Sequence, residues 1–452
     1  MPSSFGYKPF SPVNYPQLIK SANYTLGLAD AGYQILHPAS DTTPRTFTIP
    51  ANALVPFPIG TVLVFANEGS AGILTIAITS DTLVNSAGVT GSKIVPRNNI
   101  LTCIKITKTK WISFMGAQSV DITNMIAIAH ATTPYVSAYA WTNTGFGAKF
   151  TDPSTLPTGD GAGVAFSPSG NAIAVAHSTT PYVTAYSWSS SGFGAKFADP
   201  STVPAGQGTG VAFSPAGTEL AVTSTSSPYV QVYPWSSSGF GTKFTNPATL
   251  PTGVGKGVAF SPGGTAIAVG HDTAPAVTAY PWSSSGFGTK FTNPATLPNS
   301  AGTGLAFSPA GTEIVVGHDL TPFFSGYPWS SSGFGTKFTN PATLVTGIGS
   351  GVAFSPDGTA VGVASTTTDT KPLGAYPWSS SGFGTKYTSP TTAGNGIGRN
   401  VAFSGTGTEI VLVNDTQLVS GYPWSSSGFG TRFSNPGTMP TGNGYGVAFA
   451  NL

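Results

Sequence analysis

The C-terminal three quarters of the chain alternate short apolar runs with turn residues. In the segment from Gly257 to Phe291 the runs are GVAF, AIAVG, AVTAYPW and GTKF, at residues 257–260, 266–270, 276–282 and 288–291. Ser-Pro-Gly-Gly, Ser-Ser-Ser-Gly and similar turn sequences separate them. Short runs rich in β-branched and aromatic residues, with turn signals between them, predict antiparallel β-strands and no helices. Each unit therefore contributes four strands.

The unit recurs along the chain with a period marked by tryptophan. Seven tryptophans are spaced by 46 to 49 residues, and three units share the sequence YPWSSSGFGTKFTNPATL. They are Trp141, Trp188, Trp235, Trp282, Trp329, Trp378 and Trp424. A repeat of this length built from four strands is typical of a propeller blade. The sequence thus predicts a seven-bladed β-propeller.

The two ends of the array predict how the ring closes. The first unit begins at Met125–His130 and lacks a GVAF run, whereas the chain ends with one at Gly446–Phe449. We therefore expect the C-terminal strand to complete the first blade as its innermost strand. Closure leaves only short sheet edges exposed, which suits a chain built of strands.

The AFSPDG sequence at Ala353–Gly358, followed by an apolar run and an alternating run ending in tryptophan, resembles the WD40 family. Serine or threonine follows each repeat tryptophan, where that family has aspartate. The Gly-His of that family is also missing before the first strand. The resemblance implies the propeller fold and no particular partner.

Residues 1–120 differ from the repeats and are divided into two parts. Residues 1–20 contain Pro2, Pro9, Pro12 and Pro16, which predict an extended arm for attachment. Residues 21–120 predict a small β-sandwich or barrel, and residues 121–452 the propeller. Expected strands of the small domain are Thr46–Ala51, Gly60–Asn67, Ile73–Thr79, Ile100–Thr107 and Lys110–Gly116.

The small domain also resembles a β-module of tailed-bacteriophage structural proteins. FTIPAN, FPIGTVLVFANEG at Phe57–Gly69 and the closing Trp111 carry this resemblance. It implies a building block of a virion, of the kind found in tail fibres or capsid-attached fibres, without catalytic residues.

Composition limits the other possibilities. Only 8% of residues are charged, the net charge is +2, and no long apolar segment occurs, so we expect neither nucleic-acid binding nor membrane insertion. Cys103 is the single cysteine, which excludes a disulfide framework. No signal peptide is recognisable at the N-terminus. These features favour a virion protein made in the bacterial cytoplasm, with a homo-oligomer among the expected assemblies.

The expected function is therefore that of a non-enzymatic phage structural protein. Residues 1–120 would contact other virion proteins, and the propeller would be displayed for host-surface carbohydrate, as in a tail fibre. A capsid-attached fibre and a cellular scaffold for protein–protein interaction are the alternatives. Acidic residues do not recur at one strand position in every unit, so no catalytic residue, metal or cofactor is expected.

Several repeated residues are candidates for ligand binding. One basic residue recurs in the predicted fourth strand of each unit and could contact anionic groups, although a strand edge alone would also favour lysine. These residues are Lys149, Lys196, Lys243, Lys290, Lys337, Lys386 and Arg432. On the face with variable loops, Tyr135, Tyr182 and Tyr229 are candidates for a partner site. Four histidines, at positions 130, 177, 271 and 318, end the second strand and are expected to bond the following loop.

Overall fold

The computed structural model describes residues 17–68, 72–85, 90–95, 99–115, 124–142, 144–366, 371–390 and 396–451. The chain divides into two compact units, Met1–Asp121 and Ile122–Leu452. Apart from one short 3₁₀ turn at Leu28–Asp30, the described residues form strands, turns and irregular segments. None of them forms a helix long and apolar enough to cross a bilayer.

The N-terminal unit is a sandwich of a six-stranded and a four-stranded sheet. In spatial order the larger sheet contains Gln17–Ile19, Gln34–His37, Val62–Asn67, Asn99–Thr107, Lys110–Met115 and Thr82–Asn85. The smaller sheet contains Tyr24–Thr25, Arg45–Ile49, Leu74–Ile78 and Lys93–Val95. Inward side chains of both sheets, such as Phe47, Phe65 and Trp111, form its buried core. Cys103 lies in that core, and burial raises the pKa of its thiol to about 12.

The predicted arm overlaps this sandwich. Residues 1–16 lie outside the described residues, but Gln17–Ile19 pairs in parallel with Gln34–Leu36 as an edge strand. The unit also carries ten of the twelve exposed large apolar side chains among the described residues, with Leu54 at 77% and Ile59 at 68%.

The second unit consists of seven four-stranded antiparallel sheets, which confirms the predicted seven-bladed propeller. From blade 1 to blade 7 the innermost strands are Gly444–Asn451, Gly161–Phe166, Gly208–Phe213, Gly255–Phe260, Gly302–Phe307, Ile348–Phe354 and Gly398–Phe403. The second strands are Asn124–His130, Ala172–His177, Glu219–Ser224, Ala266–His271, Glu313–His318, Ala360–Thr366 and Glu409–Asn414. The third strands are Val136–Thr142, Val183–Ser189, Val230–Ser236, Val277–Ser283, Phe324–Ser330, Leu373–Ser379 and Val419–Ser425. The outer strands are Gly145–Lys149, Gly192–Lys196, Gly239–Phe240, Gly286–Phe287, Gly333–Phe334, Gly382–Phe383 and Gly428–Phe429.

Ring closure occurs as the sequence predicts. The C-terminal strand pairs antiparallel with Asn124–His130, in a register that places Phe449 opposite Ile126 and Gly446 opposite Ala129. Val447 and Ala450 of that strand are buried against the blade. The strand nearest the C-terminus is therefore the innermost strand of the first blade.

The outer strands are shorter than predicted in five blades. The GTKF run was expected to be the fourth strand, but in blade 4 the regular strand is Gly286–Phe287 and the run follows it. Proline in the third strand explains the difference, since Pro281 accepts a hydrogen bond from Gly288 N at 2.8 Å but has no N–H to return. Blades 1 and 2 have Ala140 and Ser187 there, and their outer strands run for five residues.

The repeated aromatic residues pack between blades. Trp282 contacts Phe244 of the preceding blade as well as Phe260 and Phe287 of its own, all edge to face at centroid distances of 4.9–5.6 Å. The Tyr280 hydroxyl donates to the Thr249 carbonyl at 2.8 Å in the connector before the blade. Edge-to-face packing of this kind fixes each blade against its neighbour. The tryptophans are therefore structural.

Candidate active site

The innermost strands surround a central channel, and the residue that follows the first glycine of each strand lines its mouth. From blade 1 to blade 7 these residues are Tyr445, Ala162, Thr209, Lys256, Thr303, Ser350 and Arg399. They border a cavity of about 350 Å³ that continues for two further residues along the innermost strands of blades 2 to 6. Whereas most of the repeat is nearly constant, this position differs from blade to blade. The channel mouth is therefore one composite site.

The three hydroxyl residues of this layer are committed to the ring itself. Thr209 Oγ1 donates to the Gly255 carbonyl at 2.6 Å, and Ser350 Oγ donates to the Gly398 carbonyl at 2.5 Å. Thr303 makes the corresponding bond to Gly349. Each bond joins the innermost strands of consecutive blades. Lys256 and Arg399, the charged residues of this layer, make no such bond between the strands that the structure describes.

Lys256 and Arg399 supply positive charge on different sides of the channel. Lys256 is exposed, and within the described residues its Nζ has no hydrogen-bond or ion-pair partner. Arg399 donates from Nε and Nη2 to the two carboxylate oxygens of Asp415, each at 2.9 Å. Its guanidinium also faces the ring of Tyr445 at 5.4 Å. A two-point ion pair fixes the guanidinium plane and leaves Nη1 outside the pair.

Two carboxylates among the described residues follow second strands near Lys256 without forming an ion pair with it. Asp272 and Asp319 each follow the last residue of the second strand, in blades 4 and 5. Burial raises the pKa of the half-buried Asp319; the charge of Lys256 opposes this rise and that of Asp272 adds to it. Asp272 Oδ1 accepts a hydrogen bond from Val254 N at 2.9 Å. Asp319 is thus a carboxylate of raised pKa within electrostatic range of a lysine, and a raised pKa is a property of carboxylates that act as general bases.

The predicted basic residues do not converge on this mouth. They lie on the perimeter, one in each blade, at or just after the outer strand, and most of them bond the connector three residues further on. Lys243 Nζ donates to Asn246 Oδ1 at 2.6 Å, and Lys149 and Lys196 form ion pairs with Asp152 and Asp199. The corresponding partners of Lys290, Lys337 and Arg432 are Asn293, Asn340 and Asn435, and Lys386 reaches the Leu344 carbonyl. Burial lowers the pKa of Lys243, Lys290, Lys337 and Lys386.

The three predicted tyrosines lie in the loops between second and third strands, on the face of the channel mouth. Tyr135, Tyr182 and Tyr229 are half-buried and have positive φ angles of 67–68°. Their carbonyl oxygens accept hydrogen bonds from the last residue of the second strand, for example from His130 N at 2.9 Å. Positive φ at a non-glycine residue is unfavourable, so the surrounding ring must enforce it. The backbone of these residues therefore serves the ring, and their side chains lie apart from one another in different blades.

The four histidines are enclosed in separate blades. His271 Nε2 lies 2.8 Å from Thr278 Oγ1 of the third strand, and His130, His177 and His318 make the equivalent contact with Ser137, Thr184 and Ser325. Burial lowers the pKa of each to about 4, so they are neutral at physiological pH. Within the described residues no group of three or more His, Cys, Asp or Glu side chains could hold a metal ion.

Comparison with known proteins supports the propeller fold. No family model and no curated protein matches the chain. Solved structures do: a candidate 6-phosphogluconolactonase of Bacteroides uniformis at 14% identity and TM-score 0.56, over 72% of this chain and 99% of that one. A periplasmic gluconolactonase of Pseudomonas aeruginosa is 17% identical with a TM-score of 0.56, and the match also covers 72% of this chain and 99% of that one. A candidate 6-phosphogluconolactonase of Bacteroides fragilis is 13% identical with a TM-score of 0.57, and the match covers 74% of this chain and 99% of that one. Identities this low establish the fold alone.

These neighbours correct the expected function. The prediction of a non-enzymatic phage structural protein is wrong by this comparison, because the similar structures are named as lactonases, and neither the capsid-fibre nor the scaffold alternative is better supported. The error has a physical origin: the search for catalytic residues required one residue type at the same position in every blade. The channel mouth instead combines different residues from different blades.

Other parts of the sequence interpretation stay predictions. They are the phage resemblance of the N-terminal unit, its contact with other virion proteins, a carbohydrate partner and a virion location. Neither the fold nor the comparisons bear on them.

Proposed function

We propose that the propeller is a lactonase, which hydrolyses the cyclic ester of a sugar lactone at the channel mouth. Water would attack the lactone carbonyl carbon while the Asp319 carboxylate takes up its proton. The ring C–O bond then breaks, and the leaving alkoxide takes that proton from the protonated Asp319 to give the open hydroxy acid. Lys256, near this aspartate, would stabilise the negative charge that develops on the carbonyl oxygen.

The observation that carries this proposal is the placement of Asp319. It is a carboxylate of raised pKa within electrostatic range of Lys256, in the loop that follows the second strand of blade 5. A base is most effective when its pKa approaches the working pH, and partial burial moves an aspartate in that direction. The names of the similar propellers support the same reaction class. Surrounding hydroxyl and amide groups suit a polyhydroxylated substrate.

The test is a lactone-hydrolysis assay on the purified full-length chain. Glucono-δ-lactone and 6-phosphogluconolactone are the substrates, and proton release is followed against spontaneous hydrolysis in buffer. We expect Asp319→Asn to lower kcat by about 10²–10⁴-fold, as for loss of a general base. Lys256→Gln should lower it by about 10²–10³-fold, as for loss of an oxyanion partner.

Lys290→Gln provides the matched control, because it removes one lysine at the perimeter and leaves the channel unchanged. It should keep the wild-type rate. The proposal fails if the wild-type chain accelerates neither reaction, or if Asp319→Asn and Lys256→Gln retain full activity in a folded protein.

A further inference from the structure

A ring of glycines narrows the channel just below its mouth. In six blades the residue that follows the one at the channel mouth is a glycine. These glycines are Gly163, Gly210, Gly257, Gly304, Gly351 and Gly446. A Cβ atom at any of these positions would lie 2.8–3.1 Å from the backbone of the next innermost strand. Contacts that short are repulsive, so the close approach of the strands requires glycine. The layer is therefore sterically closed to side chains.

Asn400 is the one exception in this layer. It occupies the glycine position of blade 7, directly after Arg399, and it lines the cavity. Its Oδ1 accepts a hydrogen bond from Val401 N at 2.7 Å, which fixes the orientation of the amide. Within the described residues Nδ2 has no partner. A half-buried amide that presents two unused donors to a cavity is suited to bind a ligand oxygen.

Arg399 adds a second unused donor on the same strand. Asp415 holds Nε and Nη2, and Tyr445 faces the guanidinium, so the plane is fixed while Nη1 stays outside the ion pair. The Asp415 charge offsets only part of the attraction for an anion, because a fixed guanidinium donates to oxygen along defined directions. Both residues line the same cavity, and the oxygens of a carboxylate or phosphate accept hydrogen bonds from donors of both kinds.

We propose that Arg399 Nη1 and Asn400 Nδ2 form a subsite for an anionic oxygen group of the channel ligand, and that Asn400 determines its specificity. The subsite lies on a different side of the ring from Lys256 and Asp319. It rests on the channel mouth being the ligand site of the proposed function, but it does not require catalysis. A sugar acid or sugar phosphate would thus be held at its charged end while the rest of the molecule reaches Lys256.

The test measures equilibrium binding to the full-length chain by calorimetry. The probes are gluconate, 6-phosphogluconate, inorganic phosphate and the neutral sugar alcohol sorbitol. Asn400→Gly restores the residue of the other blades and should weaken binding of the anions about tenfold to a hundredfold, as expected for a hydrogen bond to a charged group. Sorbitol binding should not change. Asn400→Asp, which adds a negative charge, should weaken anion binding further.

Gluconate and phosphate as separate probes tell the two anionic groups apart. If 6-phosphogluconate and phosphate depend on Asn400 and gluconate does not, the subsite takes phosphate. If gluconate and 6-phosphogluconate depend on it and inorganic phosphate does not, the subsite takes carboxylate. Asn400→Ser serves as a second variant if the glycine variant does not fold, and urea unfolding verifies that each variant is folded.

The outcomes separate this proposal from the proposed function. Anion binding that depends on Asn400 in a chain without lactonase activity supports the subsite and rejects the catalyst. Lactone hydrolysis with unchanged KM and unchanged anion affinity in Asn400→Gly overturns the subsite and leaves the catalyst standing. A wild-type chain that binds none of the anions overturns the subsite as well.

Discussion

Gly302 lies against the carbonyl oxygen of Ala276 in the preceding blade, so close that a Cβ atom at position 302 would be 2.0 Å from it. The same contact joins Gly161 to Tyr135, Gly208 to Tyr182 and Gly349 to Phe323. In each of these pairs a Cβ atom added to the glycine would lie 2.2 Å from the carbonyl oxygen. In every pair a residue with positive φ in one blade meets the first glycine of the next innermost strand. These contacts hold consecutive blades in register.

Gly302→Ala should therefore destabilise the propeller strongly. The added methyl group meets backbone on both sides and no flexible side chain can move away, so we expect a loss of about 1–3 kcal/mol or more. Gly437→Ala is the control, because nothing lies within 4 Å of a Cβ at that position. Its effect should be within about 0.5 kcal/mol. The urea midpoint, followed by tryptophan fluorescence, measures both; equal midpoints would contradict the proposed role of Gly302.

Ring closure by the C-terminal strand predicts the effect of removing it. Deleting residues 444–452 should leave Ile126 and Ile128 without their strand partners and open the edge of a central strand. An exposed apolar edge promotes association between chains, so we expect aggregation. Tyr445→Ser, which alters the channel lining but keeps the strand, should stay soluble. A monomeric truncated protein with wild-type melting temperature would show that closure does not depend on this strand.

The buried histidines predict acid sensitivity. The unfolded chain protonates histidine near pH 6.5, but burial lowers the pKa of His177, His271 and His318 in the folded propeller to about 4. Between these pH values the unfolded state binds more protons than the folded state. The histidine contribution to the free energy of unfolding is therefore fully present above pH 6.5 and is lost as the pH falls towards 4. The loss should be on the order of 1–3 kcal/mol for each histidine.

A variant with asparagine at these three positions tests this prediction. Asn414 already occupies the equivalent position in blade 7, so the replacement suits the fold. The variant should show a flatter decline of the urea midpoint from pH 6.5 to 4, while the comparison at pH 8 reports any direct structural effect. An equally steep decline in wild type and variant would assign the acid sensitivity to other groups.

The sequence predicts the blades well because every repeat carries the same local signals for strands and turns. Alternation, turn residues and the Trp282-type aromatic positions are local signals, and the seven units reinforce one another. The lengths of the outer strands depend on which neighbouring strand the missing N–H of Pro281 and its equivalents faces, and the sequence does not show that neighbour. The edge strand Gln17–Ile19 was missed because the prolines before it dominated the prediction.

The channel mouth could have been found from one signal in the sequence. The residue after the first glycine of each innermost strand changes from Thr209 to Lys256 to Arg399, while the flanking residues stay nearly constant. In a ring of similar blades this position lies at the central channel. Different residues at the same position in different blades therefore indicate one asymmetric site. What the sequence could not provide is the partial burial of Asp319 or the fixed guanidinium of Arg399, since both depend on neighbouring blades.

The pH dependence of lactone hydrolysis gives the sharpest test of the residues at the mouth. If the Asp319 carboxylate is the base, kcat/KM should fall at low pH with an apparent pKa above the usual value of about 3.9 for aspartate. Asp272→Asn removes a negative neighbour and should move this acidic limb to lower pH. Lys256→Gln removes a positive neighbour and should move it to higher pH in whatever activity remains. Opposite shifts from two neutralising substitutions cannot arise from a general loss of folding, whereas a limb that neither variant moves would exclude Asp319 as the titrating base.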